Sequence, residues 1–235
     1  MKVGIIQPSY IPWKGYFDFI DDVDLFIFLD DVQYTRRDWR NRNKINSSEG
    51  LCWLSVPVCF SRNDNNTDIK DVRIDNSKDW RKKHINTITR SYQNAPYFDK
   101  YADHIFGVIG SEHTMISELT IDLTHCLMGA LGISTETMKA SDFNLGYTKD
   151  EHLIQILLNV GATSYLSGPS AKNYINPVLF EEKGIDLEYK SYCYPEYPQR
   201  YQPFEHGVSV LDLLFNNGPE SRKYLKSMKK NEVVP

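Results

Sequence analysis

Two adjacent carboxylates, Asp30 and Asp31, directly follow an apolar segment of the chain, residues 25–29. An unbroken apolar run of this length is typical of a strand inside a parallel sheet, where helices cover both faces. Because open parallel sheets bind ligands beyond the carboxyl ends of their strands, these carboxylates would stand where chemistry takes place. We therefore predict that Asp30 or Asp31 is a catalytic group that accepts a proton or holds Mg²⁺.

A basic segment follows these carboxylates and offers a site for anions. Residues 36–44 carry five cations and one carboxylate, Asp38, in a chain whose formal net charge is −4. Guanidinium groups bind phosphate through two parallel hydrogen bonds, which predicts a site for a nucleotide, a diphosphate sugar or an acyl-adenylate. Its predicted members are Arg36, Arg37, Arg40, Asn41, Arg42 and Lys44. The alternatives are a solvated charged surface, arginines paired with the aspartates and, least favoured, a nucleic-acid stripe that includes Tyr34 and Trp39.

Residues 7–16 form a second place for ligand contacts, since they connect a predicted strand, residues 3–6, to a predicted helix. A helix N-terminus favours phosphate through its free N–H groups and its dipole. The predicted contacts are Gln7, Tyr10, Lys14, Gly15 and Tyr16. The segment lacks the glycine spacing of dinucleotide-binding and P-loop motifs, and its two prolines alternatively serve only to stiffen a turn.

The last candidate site residues are those at the end of a later predicted strand, together with one histidine. A predicted strand, residues 163–167, breaks at a glycine and a proline, and the small hydroxyl residues and lysine there resemble phosphate-contacting loops. The predicted contacts are Ser167, Gly168, Ser170 and Lys172, although a plain turn needs similar residues for conformational reasons. His84 is a candidate acid–base catalyst. It shares a helical face with Ile88 and Tyr92, so a buried structural histidine explains the same pattern.

The composition predicts a folded cytoplasmic protein without a structural zinc site. The chain has 235 residues, of which 41% are hydrophobic, and this is enough for one sizeable core. Its charge balance provides no general attraction to nucleic acid or to an anionic membrane. The four cysteines lie far apart and outside zinc-ligand spacing, as is typical of a reducing compartment. No secretion signal and no run of 18 apolar residues occurs, so we predict cytoplasmic localisation without membrane insertion.

Apolar periodicity predicts the elements that position these residues. A strand, a helix after Pro12 and a second strand form a β–α–β unit, and Thr148 and Glu151 have the spacing of a capping box. Further strands are predicted at residues 51–58, 71–75, 163–167 and 187–192, and further helices within residues 80–131, 148–158, 178–182 and 208–215. We predict an α/β fold with a Rossmann-like open, mostly parallel sheet, flanking helices and a helical middle region. Residues 1–235 are expected to form one domain, with a helical insertion at about 78–132 and a frayed tail at about 219–235.

Several segments also resemble the WbqC-like protein family along nearly the whole chain. The resemblance is carried by Gly4–Phe17 (GIIQPSYIPWKGYF), Phe28–Tyr34 (FLDDVQY), Trp39–Ile45 (WRNRNKI), Trp53–Val58 (WLSVPV), Tyr165–Gly168 (YLSG) and Tyr197–Gln199 (YPQ). Members of this family occur in gene clusters for O-antigen and related polysaccharides, and a glycine-transferase role has been suggested for some. The resemblance implies a place in surface-polysaccharide biosynthesis, and it implies no particular catalytic residue.

The leading hypothesis is a transferase or ligase that attaches a glycyl or other small acyl group to a nucleotide-linked amino sugar. Its arginines would hold phosphates, Asp30 or Asp31 would accept a proton, and residues 7–16 would shape the pocket. One alternative is a glycosyltransferase, although the DxD-like Asp22–Asp24 precedes its strand instead of following it. The other is a non-catalytic protein that binds nucleotide sugars or partner proteins. ATP and Mg²⁺ are left open as cofactors, and so is a homo-oligomer.

Overall fold

The fold centres on a six-stranded sheet. A computed structural model describes residues 1–59, 67–146 and 148–234. The strands of the sheet are β1 (Lys2–Ile6), β2 (Leu25–Phe28), β7 (Glu136–Lys139), β8 (Ser164–Ser167), β9 (Asp186–Tyr189) and β10 (Glu232–Val233). Their order is β10-β9-β8-β1-β2-β7, and all neighbours are parallel except the antiparallel pair β9–β10. The predicted Rossmann-like, mostly parallel α/β architecture is confirmed.

The strands that follow β1 in sequence are added first on one side of β1 and then on its other side. It continues from β1 to β2 and β7 on one side, and later adds β8 and β9 on the opposite side. The carboxyl ends of β1 and β8 therefore flank the point at which the strand order reverses. Open α/β sheets form a ligand crevice at such a switch point, because the connections there run to opposite faces of the sheet.

Helices cover both faces of this sheet. They are α1 (Lys14–Ile20), α2 (Trp80–Tyr92), α3 (Phe98–Gly110), α4 (Ile116–Leu131), α5 (Lys149–Asn159), α6 (Pro177–Glu181) and α7 (Val210–Asn217). The apolar stripes of residues 80–131 become α2, α3 and α4, and Gly132 ends α4 with a φ of 68° that suits glycine. At α5 the predicted capping box is wrong, because Thr148 makes no side-chain capping bond. None of the helices in the described ranges is long and apolar enough to cross a membrane.

Alternate residues of β2 point into two separate cores. Phe26 and Phe28 pack with helices α1 to α4 and α7, whereas Leu25 and Ile27 pack with α5 and α6. This alternation explains why the segment is apolar throughout, since a strand between two helical layers buries both of its faces. A Cβ added to Gly4 of β1 would lie 2.5 Å from the Phe19 ring, so the glycine allows α1 to pack closely on the sheet.

Two small antiparallel sheets lie outside the main sheet. The hairpin of β3 (Arg42–Ser47) and β4 (Gly50–Ser55) forms one, and β5 (Val58–Cys59) with β6 (Arg73–Ile74) forms the other. The single strand predicted at residues 51–58 is thus two strands interrupted before Pro57. Strand β3 was missed because a polar residue, Asn43, occupies one of its buried positions and hides the apolar alternation. Strand β7 was missed because its sequence is polar.

The C-terminal segment packs against the first part of the chain. Residues Gly218–Tyr224 form a 3₁₀ helix, and β10 pairs with β9 within the stretch that the sequence predicts to be frayed. Lys190, which follows β9, is buried and forms ion pairs of 2.9 Å with both Asp18 and Asp22. These contacts fix the segment after β9, which carries aromatic side chains to the site described next.

Candidate functional site

A cavity of about 1100 Å³ opens at the carboxyl ends of β1, β2 and β8. The residues after β1 provide Gln7, Ser9 and Trp13, the residues after β8 provide Gly168 and Ser170, and the start of α5 provides His152. These segments meet at the reversal of strand order, which is the expected place for a ligand in a sheet of this type. The volume lies slightly above the usual range for small-molecule pockets, about 300–1,000 Å³.

The structure divides the residues that the sequence singles out into two groups. The cavity wall includes Gln7, Tyr16, Arg40, Ser167, Gly168 and Ser170. The residues with other contacts, outside the described cavity wall, are Tyr10, Lys14, Gly15, Asp30, Asp31, Arg36, Arg37, Asn41, Arg42, Lys44, His84 and Lys172. Aromatic rings that the sequence analysis did not select take a large share of the wall, among them Trp13, Trp39, Tyr165, Tyr174 and Tyr192. The site is therefore an aromatic pocket with few charged groups.

A histidine–aspartate pair lies at this cavity. The Nε2 of His152 is 3.1 Å from Oδ1 of Asp31, and both side chains are almost fully buried. The Nδ1 of His152 is buried and has no hydrogen-bond partner among the described residues. In the neutral ring, Nε2–H donates to the carboxylate and Nδ1 carries the lone pair. A buried polar atom without a partner costs about 1–3 kcal/mol, and Nδ1 would come within reach of a ligand only if the ring turned toward the cavity.

Arg40 adds a cation to the cavity wall. The residue is 8% exposed, and its Nη1 donates to the carbonyl of Pro8 at 3.3 Å. Its Nε is buried without a hydrogen-bond partner among the described residues, and Asp38 Oδ2 lies 3.9 Å away. Burial lowers the pKa of Arg40, against the opposing effect of Asp38, so the guanidinium is incompletely compensated. An anion such as phosphate would complete its interactions.

Asp30, the neighbour of Asp31, has a different set of contacts. Its carboxylate accepts hydrogen bonds from the backbone N–H and the hydroxyl of Ser141, at 3.0 and 2.8 Å. Burial raises the pKa of Asp30, and the two bonds from Ser141 oppose this shift. Asp30 therefore fixes the short 3₁₀ helix Ala140–Phe143 to the end of β2. These contacts indicate a structural role for Asp30, and they leave Asp31 as the carboxylate nearer to the cavity.

His84 is buried in the core between α2 and the segment after β1. Its Nδ1 lies 2.8 Å from the hydroxyl of Tyr10, and its ring contacts Trp80. Burial lowers the pKa of His84 to about 4, although a backbone hydrogen bond to Ser55 acts in the opposite direction. The ring is thus neutral near pH 7 and accepts the hydrogen of Tyr10. The contacts of His84 and Tyr10 are those of two buried side chains that stabilise the core.

Lys14 is enclosed by aromatic rings behind the cavity. Its Nζ lies 5.1, 4.7 and 5.7 Å from the ring centres of Tyr194, Tyr197 and Phe204, and it donates to the carbonyl of Pro195. Burial lowers the pKa of Lys14 to about 8, while the carboxylate of Asp212 acts to raise it. Cation–π contacts of this kind attach the segment after β9 to α1. Lys14 therefore helps to position Tyr192 and Tyr194, both of which contact Trp13.

Most of the remaining cations lie around the β3–β4 hairpin, whereas Lys172 follows β8 and reaches the edge strand β10. The Arg42 guanidinium packs on the Trp53 ring at 4.4 Å and donates to the carbonyl of Arg37, which has a positive φ of 56°. Arg36 is exposed. Asn41 donates to the carbonyl of Val56, Lys44 lies 5.8 Å from the centre of Trp53, and Lys172 pairs with Glu232. Of the predicted phosphate cluster, only Arg40 lies in the described wall of the cavity.

Gly15 contributes by making room for an aromatic ring of the wall. A Cβ at this position would lie 2.3 Å from the Trp13 ring, a distance that real contacts do not reach. Close approach of Trp13 accounts for a glycine at position 15, and close approach of a ligand to the backbone stays a prediction. The glycine determines where the indole stands in the cavity.

Gly15→Ala is expected to destabilise the protein by about 1–3 kcal/mol, because Trp13 must move out of its packed position. The measurement is the free energy of unfolding in urea. Gly107→Ala in α3 is the matched control, since a Cβ added to Gly107 would meet nothing within 4 Å. That change should stabilise the protein by up to about 1 kcal/mol through helix propensity alone. Equal effects of the two substitutions would contradict the role assigned to Gly15.

The DxD-like segment lies at the opposite edge of the sheet. Asp24 accepts a hydrogen bond from the backbone N–H of Lys2, and Asp22 lies 3.8 Å from Nζ of Lys2, so both stand near the amino end of β1. The cavity is at the carboxyl ends. This separation speaks against a role for Asp22–Asp24 in holding a metal-bound diphosphate at the cavity. Within the described residues, no cluster of His, Cys, Asp and Glu has the geometry of a metal site.

His152 is the residue that sequence reasoning missed and the structure brings forward. Its partner Asp31 is 121 positions away, so no local motif joins the two. One signal was available: a helix that connects parallel strands runs opposite to them, so its first turn lies at their carboxyl ends. A histidine in the first turn of the predicted helix at residue 148 is therefore directed to the ligand-binding edge.

The strand order and the cavity define this molecule as a Rossmann-like α/β protein with a cavity at the switch point of its sheet. The chain belongs to the WbqC-like protein family, whose family model matches residues 7–224. It is similar to the uncharacterized protein Rv1507c of Mycobacterium tuberculosis (strain ATCC 25618 / H37Rv), with 41% identity over 227 residues. This similarity covers 96% of the chain and 97% of that protein. No solved structure matches the chain.

Proposed function

We propose that this protein is an enzyme that acylates the amino group of a nucleotide-linked sugar, with a glycyl or other small acyl group as the donor. In the proposed step the amine nitrogen attacks the carbonyl carbon of an activated acyl group, such as a thioester or an acyl-adenylate. The new C–N bond forms as the bond to the thiolate or nucleotide leaving group breaks, and the surplus proton of the amine passes to the protein.

The observation that carries this proposal is the His152–Asp31 pair at the cavity. An imidazole that donates through Nε2 to a carboxylate has a fixed tautomer and a basic Nδ1. That atom is buried without a partner among the described residues, so the proposal requires the ring to turn toward the cavity in order to take the proton from the amine. The carboxylate of Asp31 would then stabilise the imidazolium that forms when the proton arrives, as an acid–base pair requires.

The shape and charge of the cavity agree with a phosphate-bearing sugar as the acceptor. Tyr16, Trp13 and Tyr192 provide ring faces, and sugars and nucleobases both pack on such surfaces. Arg40 provides a cation in the described wall of the cavity, as a substrate phosphate requires. The surrounding wall is largely apolar, so an ionic contact formed there is only weakly screened by water.

Arg40→Met is expected to weaken the binding of a nucleotide sugar by about 10- to 100-fold, since a charge-assisted contact contributes roughly 1.5–3 kcal/mol. Isothermal titration calorimetry measures the dissociation constant. Arg90→Met, on the exposed side of α2, is a control for the loss of one positive charge. Because Arg40 also holds the carbonyl of Pro8, the melting temperature of the variant must be compared as well. An unchanged dissociation constant in a folded Arg40→Met protein would remove Arg40 from the site.

The proposed reaction is tested directly by mass spectrometry. Purified protein is incubated with UDP- and dTDP-linked amino sugars and with glycyl or acetyl donors, as thioesters and as acyl-adenylates. The expected result is a sugar product heavier by one acyl group, formed only with the active protein. Binding of nucleotide sugars without any acylated product from this panel would overturn the transferase and favour a binding protein.

The proposal also includes the pathway and the cellular compartment of this reaction. The family resemblance supports a place in O-antigen or related surface-polysaccharide biosynthesis, where acylated amino sugars are assembled before export. We place the reaction in the cytoplasm, and the four cysteines, all free, agree with a reducing compartment. The donor panel above is run with and without Mg²⁺ and ATP, so that the route of donor activation is read from the same experiment.

A further inference from the structure

Two tryptophan rings stand exposed at the edge of the cavity. Trp39 and Trp53 are 43% and 45% exposed, and their rings stack with centres 5.6 Å apart and an angle of 27° between the planes. Trp39 also lines the cavity. Large aromatic side chains are mostly buried in folded proteins, so a stacked pair in contact with both solvent and a cavity calls for a ligand that covers it.

Both rings are held by the backbone around them. The carbonyl of Trp39 accepts a hydrogen bond of 3.0 Å from the N–H of Tyr10, and its N–H donates to Asp38. Trp53 lies in β4 and is paired with Lys44 of β3. The pair is therefore a preformed surface, which loses little conformational entropy when a flat ligand packs on it.

Cations accompany the rings and indicate the charge of the ligand. Arg42 packs on Trp53 at 4.4 Å, and Lys44 lies 5.8 Å from the centre of the same ring. Trp53 thus already contacts Trp39 and a guanidinium, and Trp39 is the ring of the pair that borders the cavity. Arg40, one residue further along the chain, extends the positive charge into the cavity wall. Aromatic rings with cations beside them suit a ligand in which a flat base is attached to phosphates, because the base stacks on a ring and the phosphates contact the cations.

We propose that Trp39, backed by Trp53, binds the nucleobase of the substrate at the mouth of the cavity. This inference rests on the proposed function, because it assigns the two ends of the nucleotide sugar. The base stacks on Trp39, the diphosphate passes Arg40, and the sugar enters toward His152. Stacking tolerates any base, since every base has a flat π-face, so the platform recognises the nucleotide end without selecting one base strictly.

Calorimetric titration with UDP, dTDP and ADP, which carry no sugar beyond the nucleoside, tests the platform. Trp39→Ala is expected to raise the dissociation constant of these nucleotides by roughly 10- to 100-fold. Trp39→Phe keeps a ring and should retain most of the affinity. Leu51→Ala is the matched control, because Leu51 is 42% exposed in the same strand as Trp53, and its removal should leave the affinity unchanged.

Three results would overturn the platform. The first is an equal dissociation constant for the nucleotides in wild type and Trp39→Ala. The second is that Trp39→Ala weakens the binding of a sugar 1-phosphate, which has no base, as much as it weakens the binding of the nucleotides. The third is that the protein binds a single-stranded oligonucleotide more tightly than it binds the mononucleotides. The acylation assay separates this inference from the proposed function. Acylation with the same KM in wild type and Trp39→Ala removes the platform and keeps the transferase. Nucleotide binding that depends on Trp39, without acylation of any amino sugar, removes the transferase and keeps the platform.

Discussion

Replacing His152 by alanine is expected to lower kcat for acyl transfer by about 10²- to 10⁴-fold and to leave the affinity for the nucleotide sugar nearly unchanged. This is the range that a positioned general base contributes. The base acts on the amine in the transition state, while Arg40 and the aromatic rings hold the rest of the substrate. A lower kcat with an unchanged dissociation constant marks an interaction made only in the transition state.

Asp31→Asn refines the same prediction. The amide has nearly the shape of the carboxylate, but it has no charge to stabilise the imidazolium and it can donate a hydrogen to Nε2, which favours the wrong tautomer. We expect kcat to fall in this variant as well, and the double variant His152→Ala/Asp31→Asn to be no slower than His152→Ala alone. Such non-additivity is typical of two residues that act as a unit.

The control for these variants is His104→Ala, which removes an exposed histidine from α3 on the far side of the sheet. Steady-state kinetics measures kcat, and calorimetry measures the dissociation constant. If His152→Ala retains wild-type kcat, His152 is not the base. A parallel loss of kcat and of melting temperature in His152→Ala would assign the pair to stability instead of catalysis.

Acidification from pH 6.5 to about pH 4 is expected to reduce the free energy of unfolding by up to about 3 kcal/mol through His84 alone. Burial lowers the pKa of this group from 6.5 in the unfolded chain to about 4 in the folded protein. Between these values the unfolded chain binds a proton that the folded protein excludes, so stability falls as the pH falls. Above pH 6.5 the contribution is complete, and below about pH 4 nothing further is lost. A difference of about 2.5 in pKa corresponds to roughly 3 kcal/mol.

Urea denaturation at pH 7, 5.5 and 4.5 measures this effect. His84→Gln keeps a side chain that accepts the hydrogen of Tyr10 but does not titrate, so its stability should depend less on pH than that of the wild type. The comparison between the two proteins is necessary because buried carboxyl groups contribute with the opposite sign: burial raises the pKa of Asp30 and of Asp212. His104→Gln, at an exposed position, should behave like the wild type. Parallel pH profiles for wild type and His84→Gln would show that His84 is not excluded from protonation.

The parts of the fold that follow from local patterns are those that the sequence predicts correctly. The apolar run of β2 and the stripes of α2 to α4 have a strong period, because each of these elements buries complete faces. Strand β7 reads Glu-Thr-Met-Lys and is only partly buried, so its pairing with β2 depends on the tertiary structure. The local signal for β7 is absent because the packing that creates the strand involves residues more than 100 positions away.

At the candidate site, too, the sequence alone does not determine which residues take which contacts. Asp30 and Asp31 are equivalent in sequence, yet one fixes a 3₁₀ helix through Ser141 and the other holds His152. Likewise, Arg40 faces the cavity whereas Arg42 packs on Trp53. The sequence indicates that this region contains carboxylates and cations, since their types and spacing are visible there. Which member of each set reaches the ligand depends on hydrogen bonds to distant parts of the chain.

The order of the strands also determines when the cavity can exist during synthesis. Strand β8 pairs with β1, with Lys2 opposite Ser164, so one wall of the cavity is made more than 150 residues after the other. A nascent chain that has emerged only through α4 contains β1 and β2, but it has neither His152 nor the loop after β8. Until β8 arrives, one edge of β1 is unpaired and open to pairing with other chains. Ligand binding is therefore expected only in chains that are almost fully synthesised, and truncated products would aggregate instead of binding the ligand weakly.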